Sequence, residues 1–354
     1  MGMVSGPGSA SGSGLPGDPA ALLDLARAGD RVALARLLSY IERGGDTATT
    51  VAALAYRGEV PYTVGLTGAP GSGKSTITDG LITAVRGGWP SASASDDGAK
   101  AEASAGSGDE VEPVPQVGVL AIDPTSPFSG GAILGDRVRM GQHALDPTVF
   151  IRSMATRGHL GGLSLAVPDA VRLLGAAGLP VVIVVTVGVG QMEVEIASAA
   201  DTTVVVVTPG WGDSMQASKA GLLEVADVFV INKADRPGAD KVAADLEAMM
   251  GLGAGDPIRA PIFRTVATAG EGVAALCAGL LAFVAGSSAL RRETRRRERA
   301  AMRFQSVLVE RFLRDVRARL LPADRLEAIV TEIAERRVDP YTAAENLLSE
   351  RAER

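Results

Sequence analysis

Residues Gly68-Ala69-Pro70-Gly71-Ser72-Gly73-Lys74-Ser75-Thr76 carry the spacing G-x-x-x-x-G-K-[ST], and those residue types in that order suit a triphosphate. The glycines let the backbone turn tightly enough for successive N–H groups to face phosphate oxygens. A helix beginning near Lys74 adds the positive end of its dipole. The Lys74 ammonium can reach the β- and γ-phosphates, and the Ser75 hydroxyl can bind Mg²⁺. The plain alternative is a glycine-rich turn with no ligand. Context separates the two: a β-type run precedes the loop, and Ile77, Leu81, Ile82 and Val85 follow it at helical spacing.

A second set of polar residues stands at later strand ends. Asn232-Lys233-Ala234-Asp235 follows the apolar run Val228–Ile231. In N-K-x-D, the Asp235 carboxylate accepts from N1 and the exocyclic amine of guanine, Asn232 supports the loop and donates, and the Lys233 stem covers the ring. Adenine offers a carboxylate the opposite pattern, so a mismatch leaves a buried charge unpaired. Val266 and Ala267, after the next run, are placed to offer a backbone N–H to the base. Asp123 ends the second strand, and Asp136 lies in a glycine-flanked loop. Either could help hold Mg²⁺, directly or through water, or both could be ordinary loop acids. Gly188, in Thr186-Val187-Gly188-Val189-Gly190-Gln191, can offer an N–H to a γ-phosphate and make its loop a nucleotide-state sensor.

Positioning these loops requires a sheet with helical crossovers. The runs Val117–Ile122, Val149–Ser153, Val181–Val185, Thr203–Val207, Val228–Ile231 and Ile262–Val266 are short, and several are continuous in Val and Ile, as in strands buried on both faces. Helical stretches at about 163–178, 214–225, 237–250 and 271–286 alternate with them. The fold class is therefore α/β: a doubly wound, mostly parallel P-loop NTPase sheet, with its ligand site along the carboxyl ends of the strands. Before this domain (61–289), residues 1–17 read as a disordered tail and 18–60 as a helical extension, with helices at 19–28 and 31–43 capped by Asp18 and Asp30. Residues 87–116, poor in large apolar groups, read as a disordered insertion. Residues 290–354 carry no strand signal. Phe304, Leu308, Phe312, Val316 and Leu320 recur at helical spacing there, Asp324 with Glu327 reads as a capping box, and Asp339-Pro340 starts another helix. An appended apolar stripe of this kind predicts a self-association arm.

The 354-residue chain has a net charge of −6, which gives no overall attraction to nucleic acid or an anionic membrane. The Arg-rich stretch 291–299 is interrupted by glutamates and lacks interleaved aromatics, which favours a solvated helix face over a nucleic-acid patch. One cysteine, Cys277, and two histidines, His143 and His159, make a zinc or nickel site improbable. The absence of a membrane-length apolar run or a signal-peptide pattern predicts a cytoplasmic protein.

Taken in order, GAPGSGKST, AIDPTSPFSGGAILGDRVRM, RGHLGGLS, TVGVGQMEVE, ADTTVVVVTPGWGD, ADVFVINKAD and DPYTAAENLL resemble the MeaB/ArgK/MMAA family over about residues 19–349, apart from the 87–116 insertion. That family comprises P-loop GTPases acting as chaperones for adenosylcobalamin-dependent acyl-CoA mutases such as methylmalonyl-CoA mutase. The resemblance implies GTP and GDP as ligands, with slow hydrolysis gating cobalamin loading and protecting or reactivating the mutase. It also implies homodimers through the helical arm, Asp123 and Asp136 as Mg²⁺ and switch residues, and a switch at Pro209–Gly221 with Asp213, Gln216 and the catalytic candidate Lys219. The family normally reads Glu-Thr-Val-Gly-Val-Gly where this chain has Val185-Thr186-Val187-Gly188-Val189-Gly190. The acid position falls on Thr186 if the strand is one residue shorter, and otherwise on Val185. Losing that carboxylate should slow hydrolysis and spare binding through Lys74 and Ser75. Alternative readings are a hydrolysis-impaired binding module on the same mutase, a metallochaperone GTPase of a nickel enzyme, and an amino-acid transport kinase. The His and Cys poverty argues against the nickel reading, and no phospho-acceptor site supports the last.

Overall fold

The computed structural model describes residues 17–86, 117–123, 143, 146–155, 166–186, 196–197, 199–210, 225–252, 260–286 and 289–352. Seven strands form one sheet: β1 (Tyr62–Gly68), β2 (Val117–Asp123), β3 (Val149–Ala155), β4 (Val181–Thr186), β5 (Thr202–Val207), β6 (Val228–Asn232) and β7 (Ile262–Thr265). Their order is β3-β2-β4-β1-β5-β6-β7, and every pairing is parallel. The chain leaves the centre of the sheet after β1, between β4 and β5. It runs first through β2 to the β3 edge, returns to β4 beside β1, and then continues through β5 and β6 to the β7 edge, so a crevice opens at the carboxyl end of β1.

Alternation along the strands builds two faces. Val64, Leu66, Ile183, Val185, Val204 and Val206 pack with Ile77, Leu81, Ile82 and Val85 of α4 (Lys74–Arg86) and with Leu276, Cys277 and Leu280 of α7 (Val273–Gly286). On the other face, Leu120, Ile122, Val182 and Val184 meet α5 (Ala166–Ala176), while Val205, Val207, Phe229 and Ile231 meet α6 (Ala239–Leu252). Each fully buried side chain of this size contributes about 1.5–3 kcal/mol relative to exposure. Burial pushes the Cys277 thiol up to about 11, which makes it a packing group and no nucleophile.

Three N-terminal helices, α1 (Pro19–Arg27), α2 (Arg31–Arg43) and α3 (Gly45–Ala55), join the α5 face. Asp18 accepts from Ala21 N–H, and Asp30 from Val32 and Ala33 N–H, so both expected caps form. Helix α3 was not expected, because glycine and β-branched threonine disfavour helix. Burial of Val51 and Ala55 against the layer overrides that preference. The layer also grips β3 by polar contacts: Arg31 donates to Asp146 O and Val149 O, both at 2.7 Å, and Arg152 pairs with Glu42 and Ser39.

Residues Met1–Ser287 and Ser288–Arg354 are separate compact units. The second holds α8 (Ala289–Arg319), α9 (Ala323–Ala334) and α10 (Pro340–Ala352). Asp339 caps α10 as expected, accepting from Tyr341 and Thr342 N–H. The Asp324 capping box does not form. Pro322 is the N-cap of α9, which puts Asp324 inside the first turn, where its charge favours the helix dipole without a side-chain cap bond. Phe304, Leu308 and Phe312 lie exposed along α8. The tail (1–16), the 87–116 insertion and all but the end of the expected 214–225 helix lie outside the described residues.

Candidate nucleotide site

The loop between β1 and α4 is held in shape from within. Lys74, nine-tenths buried, donates from Nζ to Gly68 O at 2.7 Å and Ala69 O at 3.0 Å. Those bonds curl the loop around the ammonium, and Ser72 N–H closes it on Ala69 O at 3.1 Å. Gly68 has φ +141°, and a Cβ there would strike Val206 O. Ser75 and Thr76 lie in the first turn of α4, at the positive end of its dipole.

The turn after β6 is bolted to this loop. Asn232, buried at the strand end, donates from Nδ2 to Ser72 O at 2.8 Å. Its Oδ1 accepts from Thr265 Oγ1 at 3.0 Å and Ala267 N–H at 3.1 Å. Both faces of the amide are thus assigned, because a flipped amide would set its NH2 against the Ala267 N–H and its oxygen against Ser72 O. Lys233 sits at φ +56° and donates from Nζ to Gly71 O at 2.8 Å. Gly73 (φ +95°) has no room for a side chain, since a Cβ would run into Asn232 Nδ2. Three chain segments far apart in sequence therefore meet at one point: residues 68–76, 232–236 and 265–268.

Between them lies a cavity of about 130 Å³ lined by Gly73, Thr76, Asn232, Lys233, Asp235, Arg236, Val266, Ala267 and Thr268. The structure thus brings together the expected residues of the phosphate loop and both strand-end turns. It also spends the N–H groups of the second turn internally: Val266 donates to Glu271 O at 3.0 Å and Ala267 to Asn232 Oδ1. Sequence reasoning missed Thr265, whose hydroxyl fixes Asn232, and Arg236. The signal for Thr265 was its place at the end of an apolar run, where a hydroxyl is out of pattern.

Asp123 closes β2, in register with Ala155. Asp136, Gly188, Asp213, Gln216 and Lys219 lie outside the described residues. Strand β4 runs through Thr186, one residue longer than expected. Thr186 is buried and donates to Thr67 Oγ1 at 3.1 Å, away from α4, whereas Val185 packs on the α4 face with Ile77. The position facing the phosphate-loop helix is therefore Val185, which has no carboxylate to offer a metal. Among the described residues no three His, Cys, Asp or Glu side chains could enclose a cation. Ser75, in the first turn of α4, supplies a hydroxyl of the kind that suits a Mg²⁺ taking only one or two protein oxygens and completing its shell with phosphate and water.

Helix α4 carries two further polar contacts. Asp79 lies 3.0 Å from His143 Nε2, and Arg86 lies 2.8 Å from Asp146. Burial pushes the Asp79 carboxyl above its ordinary value, more than the neighbouring His143 lowers it.

A parallel sheet with a phosphate loop at its centre and an Asn-Lys-x-Asp turn two strands away defines the P-loop GTPase class. Residues 111–320 match the family described as methylmalonyl-CoA mutase-associated GTPase MeaB. A Pyrococcus abyssi protein that carries a provisional GTPase name is 41% identical over 340 residues, covering 93% of this chain and 95% of that one. The chain belongs to the MeaB family. It is also 37% identical over 228 residues to a Cupriavidus metallidurans protein named fused isobutyryl-CoA mutase, covering 63% of this chain and 19% of that protein. A crystal structure titled LAO/AO transport system kinase matches with a TM-score of 0.61 at 22% identity, covering 95% of this chain and 98% of that one, and shares the fold. No helix among the described residues is long and apolar enough to cross a membrane.

Proposed function

We propose that the chain binds GTP and GDP at the junction of residues 68–76, 232–236 and 265–268. With Mg²⁺ bound, it hydrolyses GTP slowly and serves as a nucleotide-dependent chaperone of an adenosylcobalamin-dependent acyl-CoA mutase. The observation that carries the nucleotide reading is the Asn232 clamp, which ties a base-reading turn to a phosphate-binding loop in one rigid unit. Asp235 would accept from guanine N1 and the exocyclic amine. The Lys74 ammonium would exchange its carbonyl partners for phosphate oxygens, charge-assisted bonds about twice as strong as neutral ones. Ser75 would hold the cation, which neutralises charge on the β- and γ-phosphates. Gly188, Asp136 and Lys219 remain its proposed switch and catalytic partners.

The mutase reading draws on family membership and on the relative whose name joins a matching segment to an isobutyryl-CoA mutase. Homodimer formation through residues 290–354 belongs to the same proposal. A second reading, a module that binds nucleotide and mutase with negligible turnover, is favoured by Val185. Titration with GTP, GDP and ATP in Mg²⁺ tests the first step: tight guanine-nucleotide binding and weak ATP binding are expected, and equal affinity for ATP refutes it. Phosphate release with and without a mutase then separates enzyme from module.

A further inference from the structure

Strand β1, which leads into the phosphate loop, has a notch in the face turned away from α4. Gly65 lies there, in register with Val184 of β4 and Thr203 of β5. It does not have a positive φ, so its backbone conformation needs no glycine. Space does: a Cβ would stand 2.8 Å from Ile196 Cγ1 and 2.9 Å from Ala200 Cβ. Ile196 is fully buried, and Ala200 N–H donates to Ile196 O at 3.0 Å, so one helical turn rests on the glycine. Asp201, next along the chain, brackets the backbone of Thr63 earlier on β1. Its N–H donates to Thr63 O at 2.8 Å, and its Oδ2 accepts from Thr63 N–H at 2.9 Å.

Thr186 is fastened to the same strand, through Thr67 Oγ1 at 3.1 Å. Residues 187–195 separate Thr186 from Ile196 and include Gly188, whose N–H is the proposed γ-phosphate contact. The span is therefore tied to β1 at both ends, at Thr67 and at Gly65, just ahead of Gly68. A methyl group at position 65 cannot be absorbed by a change of rotamer, because Ala200 has no side-chain torsion to adjust. The helical turn must lift instead, and one anchor of the span lifts with it.

We propose that Gly65 is a positioning residue for γ-phosphate recognition: its missing side chain seats Ile196 on β1 and so sets the reach of Gly188 N–H toward the triphosphate. The assignment rests on the guanine-nucleotide reading above. Tight packing alone is the competing account, and it would alter stability while treating GTP and GDP alike.

Affinity of the full chain in Mg²⁺ for GDP and for GppNHp, the GTP analogue with a non-hydrolysable imido bridge, tests it. The variants are Gly65→Ala, Ile196→Ala and Gly118→Ala, each also unfolded by heat without nucleotide. Gly65→Ala should weaken GppNHp on the order of ten-fold, the loss of one hydrogen bond to a charged oxygen, and leave GDP affinity as in wild type. Ile196→Ala removes the seated group without adding a clash and should show the same split, which decides the point should Gly65→Ala not fold. Gly118 of β2 is as tightly covered, with a Cβ 2.9 Å from Leu174 Cδ1, but lies away from the span. Gly118→Ala should lower the unfolding temperature and affect both nucleotides equally. Equal weakening of GDP and GppNHp by Gly65→Ala or Ile196→Ala, unchanged GppNHp affinity in either, or the same split in Gly118→Ala overturns the proposal and leaves the guanine-nucleotide reading standing. Wild type that binds neither nucleotide overturns that reading itself, and this assignment with it.

Discussion

Asn232 is the point at which the base turn and the phosphate loop become one body, so its removal should register in affinity more than in fold. Replacing Asn232 by Ala strands the Ser72 carbonyl, the Thr265 hydroxyl and the Ala267 N–H, three groups bonded to it at 2.8, 3.0 and 3.1 Å. A net hydrogen bond of this kind contributes about 1 kcal/mol, and more where the orphaned group stays dry. Three together give roughly 3 kcal/mol, equivalent to about a hundred-fold in GDP affinity. Asn232→Asp is the informative companion. It keeps the acceptor for Thr265 and Ala267 but sets a carboxylate against Ser72 O, which predicts a loss of roughly ten-fold from the severed link alone. Displacement of a fluorescent GDP in Mg²⁺ measures both, and thermal unfolding without nucleotide separates affinity from stability. An Asn232→Ala variant that binds GDP within two-fold of wild type would show that the two loops need no clamp, and the reasoning would be wrong.

Three other outcomes are expected. Val185→Glu returns a carboxylate to the α4 face of β4 and should raise GTP turnover with little change in GDP affinity; steady-state phosphate release that does not increase rejects the idea that Val185 limits hydrolysis. Asp79 binds its proton more tightly in the folded chain than in the unfolded one, so stability should fall as pH rises from its ordinary value of 3.8 through the raised folded value. Asp79→Asn should abolish that slope and leave unfolding at pH 7 equal or higher in temperature; a clear drop would mean that pairing with His143 outweighs burial. Phe304→Asp with Leu308→Asp should turn a dimer into a monomer in sedimentation, since their side chains are 66% and 54% exposed on α8; an unchanged sedimentation coefficient removes the arm from the dimer proposal.

Much of the architecture was legible because strand burial leaves a mark that needs no neighbour to interpret. Continuous Val and Ile at 181–185 and 204–207 point to strands covered on both faces, and both strands flank β1 in the middle of the sheet. Caps at Asp18, Asp30 and Asp339 were legible for a similar reason, since each acts within its own turn. Helix α3 was not, because Gly44, Gly45 and the threonines around position 50 speak against helix locally and only contact with the N-terminal layer decides otherwise. Asp324 misled in the opposite direction: its spacing to Glu327 was right, but Pro322 starts the helix earlier.

The sequence by itself determined the chemistry available, since G-x-x-x-x-G-K-[ST] and N-K-x-D name their ligand groups through residue type and local spacing. Only the tertiary structure decided how those groups are committed. Asn232 faces Ser72 and Thr265, Val266 and Ala267 spend their N–H groups at home, and Val185 faces the phosphate-loop helix. These are relations between residues dozens of positions apart, set by strand order and register. A hydrogen bond across that distance leaves no periodicity in the chain that makes it.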